Sequence, residues 1–179
     1  MSMKFAENEV RQITEDTWKI VLGEELQLSL GPFTPKEIPD SIATCAHITG
    51  DWELAVVLYC SAKLARNAAT VMFGADEANM TIEDVHDAMC ELINIIAGNI
   101  KGILSGSTHL ALPSLIKGND FKLMFPRHVL LSEAHFSYRD EPILVMLLGE
   151  DKLASRKGDR FDAKTPAKPA CDRRGNSLF

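Results

Sequence analysis

Hydrophobic and polar positions repeat with two different periods along the chain, and these periods predict its elements. Residues 5–22 carry apolar side chains every three or four positions, which predicts an amphipathic helix ending near Gly23. The positions on its inward face are Val10, Ile13, Thr17, Ile20 and Val21. Segment 31–40, GPFTPKEIPD, contains three prolines and is predicted to be a loop or an extended arm. Residues 41–61 hold two β-branched and aromatic runs around TGDW, which predicts two strands joined by a tight turn.

The second half of the chain continues with helices and strands in the same mixture. Ser61 begins a helix that Gly74 ends, and Thr81 caps a long helix over 82–104 with Asp84 as its capping-box partner. HLALPSL reads as a short strand and IKGNDF as a loop, and HVLLSEAHFSY and PILVMLL are two strands around the turn RDEP. Helices and hairpins mixed in this way predict an α+β fold, an antiparallel sheet with long helices packed on one side.

Length and charge set the limits of the folded part. The 179 residues suit one domain over residues 1–150, followed by a basic tail, 151–179, that we expect to be disordered. The tail holds eight basic and four acidic side chains, a net charge of +4, and the first 150 residues hold 11 basic and 21 acidic ones, a net of −10. An acidic body argues against nucleic acid as a partner.

The sequence also bears on compartment and metals. It has no apolar run of about 18 residues and no signal-peptide pattern at its start, so we expect a cytoplasmic protein with no membrane partner. The four cysteines form no CxxC pair and are expected to be free thiols. Cys45 and His47 form a CxH without a second ligand pair nearby, so no metal site is predicted.

The long helix separates an apolar face from a narrow polar stripe. At about 100° per residue, the stripe spans an arc of about 100° and an aliphatic face lies almost opposite. The stripe contains Asp84, Asp87, Glu91, Asn94, Gly98 and Lys101. The ordinary interpretation is a solvated helix face. Asn94 and Gly98 weaken it, because Asn and Gly are poor helix formers at interior positions. Gly98, Gly102 and Gly106 are also spaced by four, which is more often a sign of close helix packing within a fold.

The stripe and its flanking segments resemble a known family. Asp87, Glu91 and Asn94 form D-x-x-x-E-x-x-N, which is followed by IIAGN and, about twenty residues later, by Pro113. Together with EVRQITEDTWKIVLG near the start and LALPSLIKG after the helix, this pattern resembles the CheX/CheC family of chemotaxis phosphatases. The resemblance is closest to the CheX branch, covers most of residues 5–149 and leaves out the tail.

The resemblance implies a function and a role for each stripe residue. Such proteins hydrolyse the aspartyl phosphate of CheY-type receiver domains, so Asn94 would position the attacking water and Glu91 would pair with the receiver's lysine. Asp87 would position Glu91 or touch the partner. Gly98 would add no side-chain bulk to the stripe, so that the partner can approach closely. No cofactor is expected in this chain, because the Mg²⁺ belongs to the receiver.

Two other functions and an oligomeric state also follow from the resemblance. One alternative is a module that docks on a receiver without catalysis, and another is a structural protein of the flagellar switch, where relatives of this fold occur. Homodimers are typical of the family, and HVLLSEAHFSY or PILVMLL would supply the pairing edge.

Overall fold

The computed structural model describes residues 3–117 and 125–150, with side chains from residue 8 onward. It contains three helices: α1 (Met3–Leu22), α2 (Ala62–Phe73) and α3 (Ile82–Gly102). The strands are β1 (Gln27–Leu28), β2 (Ser41–Gly50), β3 (Leu54–Ser61), β4 (Thr108–Leu110), β5 (Ser114–Lys117), β6 (His128–Tyr138) and β7 (Glu141–Glu150). A short 3-10 helix, Pro35–Glu37, lies in segment 31–40, which was predicted to be a loop or an extended arm, and another, Glu77–Asn79, lies between α2 and α3. The tail, 151–179, lies outside the described residues, so the domain boundary near residue 150 stays a prediction.

The strands form one antiparallel sheet, which confirms the predicted α+β class. The order is β1-β6-β7-β3-β2-β4, and β5 pairs with the same strand β2 as β4 does. Leu110 of β4 lies opposite Ile48, and Ser114 of β5 lies opposite Cys45. The single extended piece expected here is therefore two strands, separated where Pro113 has no backbone N–H to donate.

The two faces of the sheet are covered by different parts of the chain. Side chains of all three helices share one core with Ile48, Val56 and Phe136 of the sheet. Residues on the opposite face, such as Val57 and Leu144, are covered by the arm between β1 and β2. Since β3 is buried along its whole length on both faces, it reads in the sequence as a continuous apolar run.

The predicted inward face of α1 is correct except at Ile20. That side chain is 82% exposed, while Trp18 is fully buried. The Trp18 ring meets Tyr138 of β6 edge to face, with centroids 5.2 Å apart. Packing of the large Trp18 ring therefore determines which side of α1 faces the sheet, and Ile20 lies on the side that faces solvent.

The β2–β3 hairpin holds the segment that leaves α3. The Asp51 backbone N–H donates to the Ser107 carbonyl oxygen at 3.0 Å, and the Trp52 indole donates to the Ser105 carbonyl oxygen at 2.8 Å. Gly50 has φ +114°, and a side chain there would overlap the Ser107 carbonyl oxygen. Glycine at this position thus allows the hairpin and the post-helix segment to approach closely.

The second hairpin closes with a reverse turn, as RDEP predicted, and only two residues separate its strands. Arg139 and Asp140 both have positive φ, 51° and 66°, which is the backbone of a type I′ turn. This hairpin also corrects one expectation. Strand β7 lies between β3 and β6 and cannot supply a pairing edge, whereas β1 pairs only with Ser137 and Phe136 of β6.

Among the described residues, no helix is long and apolar enough to span a membrane.

Candidate functional site

The candidate site is the exposed side of α3, and it begins at a well-formed helix cap. The Thr81 hydroxyl accepts from the Asp84 backbone N–H at 3.1 Å. The Asp84 carboxylate in turn accepts from the Thr81 backbone N–H at 2.8 Å and from its hydroxyl at 2.6 Å. This is the predicted capping box, and it fixes where the helix starts. The hydroxyl bond above all, with the backbone bond, holds the pKa of Asp84 below its ordinary value.

The opposite side of α3 is buried and sets the direction of the stripe. Eight side chains of this helix are buried: Val85, Ala88, Met89, Leu92, Ile93, Ile96, Ala97 and Ile100. On the other side, Asp87 and Glu91 are exposed, while Asn94 and Gly98 are half-buried. The two sides predicted by the helical wheel are thus confirmed, and the stripe faces away from the core.

Glu91 and Asn94 are one turn apart and are not engaged by the fold. Among the described residues, neither side chain has a hydrogen-bond or ion-pair partner in the structure. A carboxylate and a carboxamide held on a rigid helix without internal partners keep their full capacity to bind an external group. The carboxylate can accept from a cation, and the carboxamide can both donate and accept.

Asp87 has a neighbour other than the one that the sequence suggested. Its carboxylate lies 3.2 Å from Nδ1 of His86, and its side chain is 75% exposed. Within the described residues no hydrogen bond joins it to Glu91, which is also an acid and cannot donate to it when both are ionised. The geometry therefore gives no support to positioning of Glu91 by Asp87, and contact with a partner remains its predicted role.

The glycines on α3 are not explained by packing within the molecule. A Cβ added at Gly98 or Gly102 would meet no atom of the described residues within 4 Å, so close helix packing is the wrong interpretation for both. Gly106 is different: it has φ +97°, and a side chain there would overlap the Asp51 carboxylate. Gly98 therefore carries the cost of a poor helix former, about 1 kcal/mol, without serving the fold itself.

The thiols and the CxH pair form no metal centre in this part of the protein. Over residues 3–117 and 125–150, no group of three His, Cys, Asp or Glu side chains could hold a metal ion. The Cys45 sulfur lies 3.6 Å from Nε2 of His47, but burial raises the pKa of Cys45 to about 11. Cys45, Cys60 and Cys90 are free thiols, as predicted, and Cys171 lies outside the described residues.

One polar contact of α3 was not found from the sequence. The Asn99 amide donates to the Thr17 hydroxyl of α1 at 3.3 Å. An Asn inside a long helix and a Thr on the inward face of another were the available signals, but nothing in sequence spacing pairs residues 82 positions apart.

The fold and this helix define the chain as a CheX/CheC-like protein, and the comparisons agree. The sequence profile of the chemotaxis phosphatase CheX matches residues 42–135, which is more than half of the chain. The chain therefore belongs to the CheX family of chemotaxis phosphatases. No curated protein sequence matches it.

Solved structures show the same fold at low sequence identity. CheX from Vibrio vulnificus has a TM-score of 0.63 at 19% identity, covering 78% of this chain and 93% of that chain. CheX in a CheX–CheY–BeF3–Mg²⁺ complex from Borrelia burgdorferi has a TM-score of 0.61 at 18% identity, covering 79% and 95%. FliY from Thermotoga maritima is more distant, with a TM-score of 0.51 at 16% identity over 85% and 89%.

The cap of α3 predicts a pH dependence of stability. The folded pKa of Asp84 lies below its ordinary value of 3.8. The ionised cap therefore stabilises the fold above that value, and this contribution is lost as the pH falls through the folded pKa. Urea unfolding should show that Asp84→Asn, which cannot ionise, is less stable than wild type at pH 7. The difference should shrink as the pH falls below 3.8.

Thr81→Ala serves as the comparison, because it removes the hydroxyl donor that lowers this pKa. In the Thr81→Ala background, the free energies of unfolding with Asp84 and with Asp84→Asn should differ less, and this difference should depend less on pH. An unchanged difference across the pH range in the wild-type background would contradict the assignment.

Proposed function

We propose that this chain hydrolyses the aspartyl phosphate of a CheY-type receiver domain, and that Asn94 orients the attacking water. The observation that carries the proposal is the pair of unengaged side chains, Glu91 and Asn94, one turn apart on the outward side of α3 in a protein of the CheX family. The Borrelia burgdorferi CheX that shares this fold was solved with CheY, BeF3 and Mg²⁺. That complex supports a CheY-type receiver as the partner here.

The chemistry requires little from the incoming protein. Water attacks phosphorus, the bond between phosphorus and the aspartyl oxygen breaks, and inorganic phosphate and a free carboxylate result. An acyl phosphate is already reactive, so fixing a water in line with the breaking bond is the main contribution that remains. A carboxamide can orient water through both its oxygen and its N–H without changing charge with pH. Asn94 has this capacity because nothing among the described residues binds its amide.

Glu91 would hold the helix in register on the receiver. Its carboxylate is exposed and unpaired within the described part of the chain, and it lies one turn before Asn94. A lysine beside the receiver's phosphoryl group is a suitable partner, because a charge-assisted hydrogen bond fixes both distance and direction. The Mg²⁺ of the reaction would come with the receiver, not with this chain.

Two alternatives remain distinct from this proposal. A docking module would bind the receiver with the same stripe but leave its phosphate unhydrolysed. The other alternative is a structural role in the flagellar switch, and Thermotoga maritima FliY shares with this chain the fold alone. Neither alternative needs Asn94 to touch water, so substitution of this one residue separates them from catalysis.

The first prediction concerns Asn94. With a phosphorylated CheY-type receiver, wild-type protein should accelerate loss of phosphate, and Asn94→Ala should reduce the acceleration by about 10²-fold, because it removes the group that orients water. Binding of the receiver should survive. The measurement is decay of radiolabelled phosphate together with an equilibrium binding titration.

Asn8→Ala is the control, because Asn8 is an Asn on a different helix, α1, and is exposed. It should leave the rate unchanged. Binding without acceleration by the wild-type protein would favour the docking module. If no receiver tested is bound or dephosphorylated faster, the stripe is an ordinary solvated helix face and the proposal is wrong.

The second prediction concerns Gly98. Replacement by Ala should leave the fold as stable as wild type or more stable, by up to about 1 kcal/mol, since an added Cβ meets no described atom within 4 Å. Gly98→Leu should raise KM for the phosphorylated receiver by about 10-fold or more, because its bulk would stand between the two proteins. Gly31→Ala, at another glycine with open space around its Cβ, should change neither quantity.

The third prediction concerns a homodimer formed through the free part of β6. Val129 and Leu130 there are 42% and 44% exposed, and β1 does not reach them. Light scattering should give a dimer mass, and Val129→Lys should give a monomer, because a charge on an edge strand opposes pairing. Ile116→Lys, on the opposite edge strand β5, should leave the dimer intact. A strict monomer at all concentrations would refute the interface.

A further inference from the structure

A side-chain hydrogen bond between Asn99 and Thr17 links α3 directly to α1. The Asn99 amide donates to the Thr17 hydroxyl at 3.3 Å, and Thr17 is only 1% exposed. Among the described residues, it is the one side-chain hydrogen bond that joins α3 to another helix or strand. The other side-chain bonds of α3 stay within the cap or between neighbours on the helix itself.

The remaining inward contacts of α3 are aliphatic. Leu92, Ile93, Ile96 and Ile100 are all buried, and contacts of this kind are favourable at many relative orientations because the hydrophobic effect has no direction. The ends of the helix are held through loops, at the start by Arg66, which donates to the Met80 carbonyl oxygen, and at the end by the β2–β3 hairpin. Both contacts are made to backbone groups outside α3 itself.

Rotation of α3 about its axis would matter for the site. Side-chain tips lie about 5–6 Å from a helix axis, so a rotation of about 10° moves them by roughly 1 Å. A displacement of about 1 Å at a reacting centre can reduce a rate by about 10²-fold. Glu91 and Asn94 lie on the same rigid helix as Asn99. A contact at Asn99 that fixes the rotation of α3 about its axis therefore also fixes the direction in which these two side chains point.

We propose that Asn99 and Thr17 form a positioning pair that sets the rotation of α3, and hence where Asn94 stands when a receiver is bound. Neither residue touches the reacting atoms. The consequence for the reaction depends on the proposed function, whereas the consequence for helix orientation can be measured without any receiver.

The chain provides a matched control for the key variant. Thr17→Val replaces a buried hydroxyl by a methyl group of similar size and removes the acceptor for Asn99. Thr14→Val makes the same replacement one turn earlier on α1, at a residue that is 0% exposed. The Thr14 hydroxyl donates to the Val10 carbonyl oxygen at 2.7 Å, within its own helix. Both variants remove a buried hydroxyl and its hydrogen bond, but only Thr17→Val breaks the link to α3.

The structural test is residual dipolar couplings along α3 in the free protein. Thr17→Val and Asn99→Ala should each change the orientation of α3 relative to the sheet by about 10°. Thr14→Val should leave it as in wild type. Unchanged couplings in Thr17→Val, or the same change in Thr14→Val, would overturn the proposal whether or not the protein is a phosphatase.

The kinetic test is turnover of the phosphorylated receiver. Thr17→Val and Asn99→Ala should each reduce kcat by about 10-fold or more and change KM by much less, and the double variant should be no worse than either single one. Equal effects of Thr14→Val and Thr17→Val on kcat, or additive losses in the double variant, would show a merely structural role. A wild-type protein without phosphatase activity would refute the proposed function, and the dipolar couplings would still decide whether this pair sets the orientation of α3.

Discussion

Burial of the aliphatic side of α3 against the sheet and the other two helices is the interaction on which the site depends. Eight side chains of this helix are buried, so the opposite side faces away from the core. Burial of apolar surface at about 25 cal/mol per Å² makes this packing one of the larger favourable terms in the fold. A polar stripe on such a helix is held outward by the core rather than by bonds of its own, which leaves Glu91 and Asn94 free to bind another molecule.

The stripe contains residues that a helix selected for stability alone would not favour. Asn94 and Gly98 both lower helix propensity, and the space around Gly98 shows that no neighbour among the described residues requires the glycine. Two glycines outside α3 have an internal reason. Gly50 and Gly106 have positive φ and lie where the hairpin and the post-helix segment meet. The contrast between Gly50 and Gly106, which serve the fold, and Gly98, which does not, is the physical argument for a partner that approaches α3 closely.

Most elements could be predicted from sequence because their signals are local. The capping box at Thr81 and the three-and-four spacing of α3 fixed the long helix to within two residues of its observed end at Gly102. Three features could not be predicted in this way. The two-residue strand β1 exists only because β6 pairs with it, and β4 and β5 are separate strands because both use the edge of β2. Ile20 faces solvent because Trp18, beside it in sequence, takes the place against Tyr138.

The same distinction applies to the site. The residue types and their spacing were enough to select Asp87, Glu91, Asn94 and Gly98, because one helix brings them together. The contact from Asn99 to Thr17 joins residues far apart in the chain, and only the folded protein brings them together. Sequence could therefore indicate the candidate groups on α3, but not the contact that joins this helix to α1.

The most direct test of the central claim is a crystal structure of this chain with a CheY-type receiver activated by beryllium fluoride and Mg²⁺. The account predicts that α3 enters the receiver's active site, with the Asn94 amide within about 3 Å of a water in line with the beryllium. It also predicts that the Glu91 carboxylate contacts the receiver's lysine. A receiver bound elsewhere on the molecule, with Asn94 still facing solvent, would contradict the claim that this stripe performs the reaction.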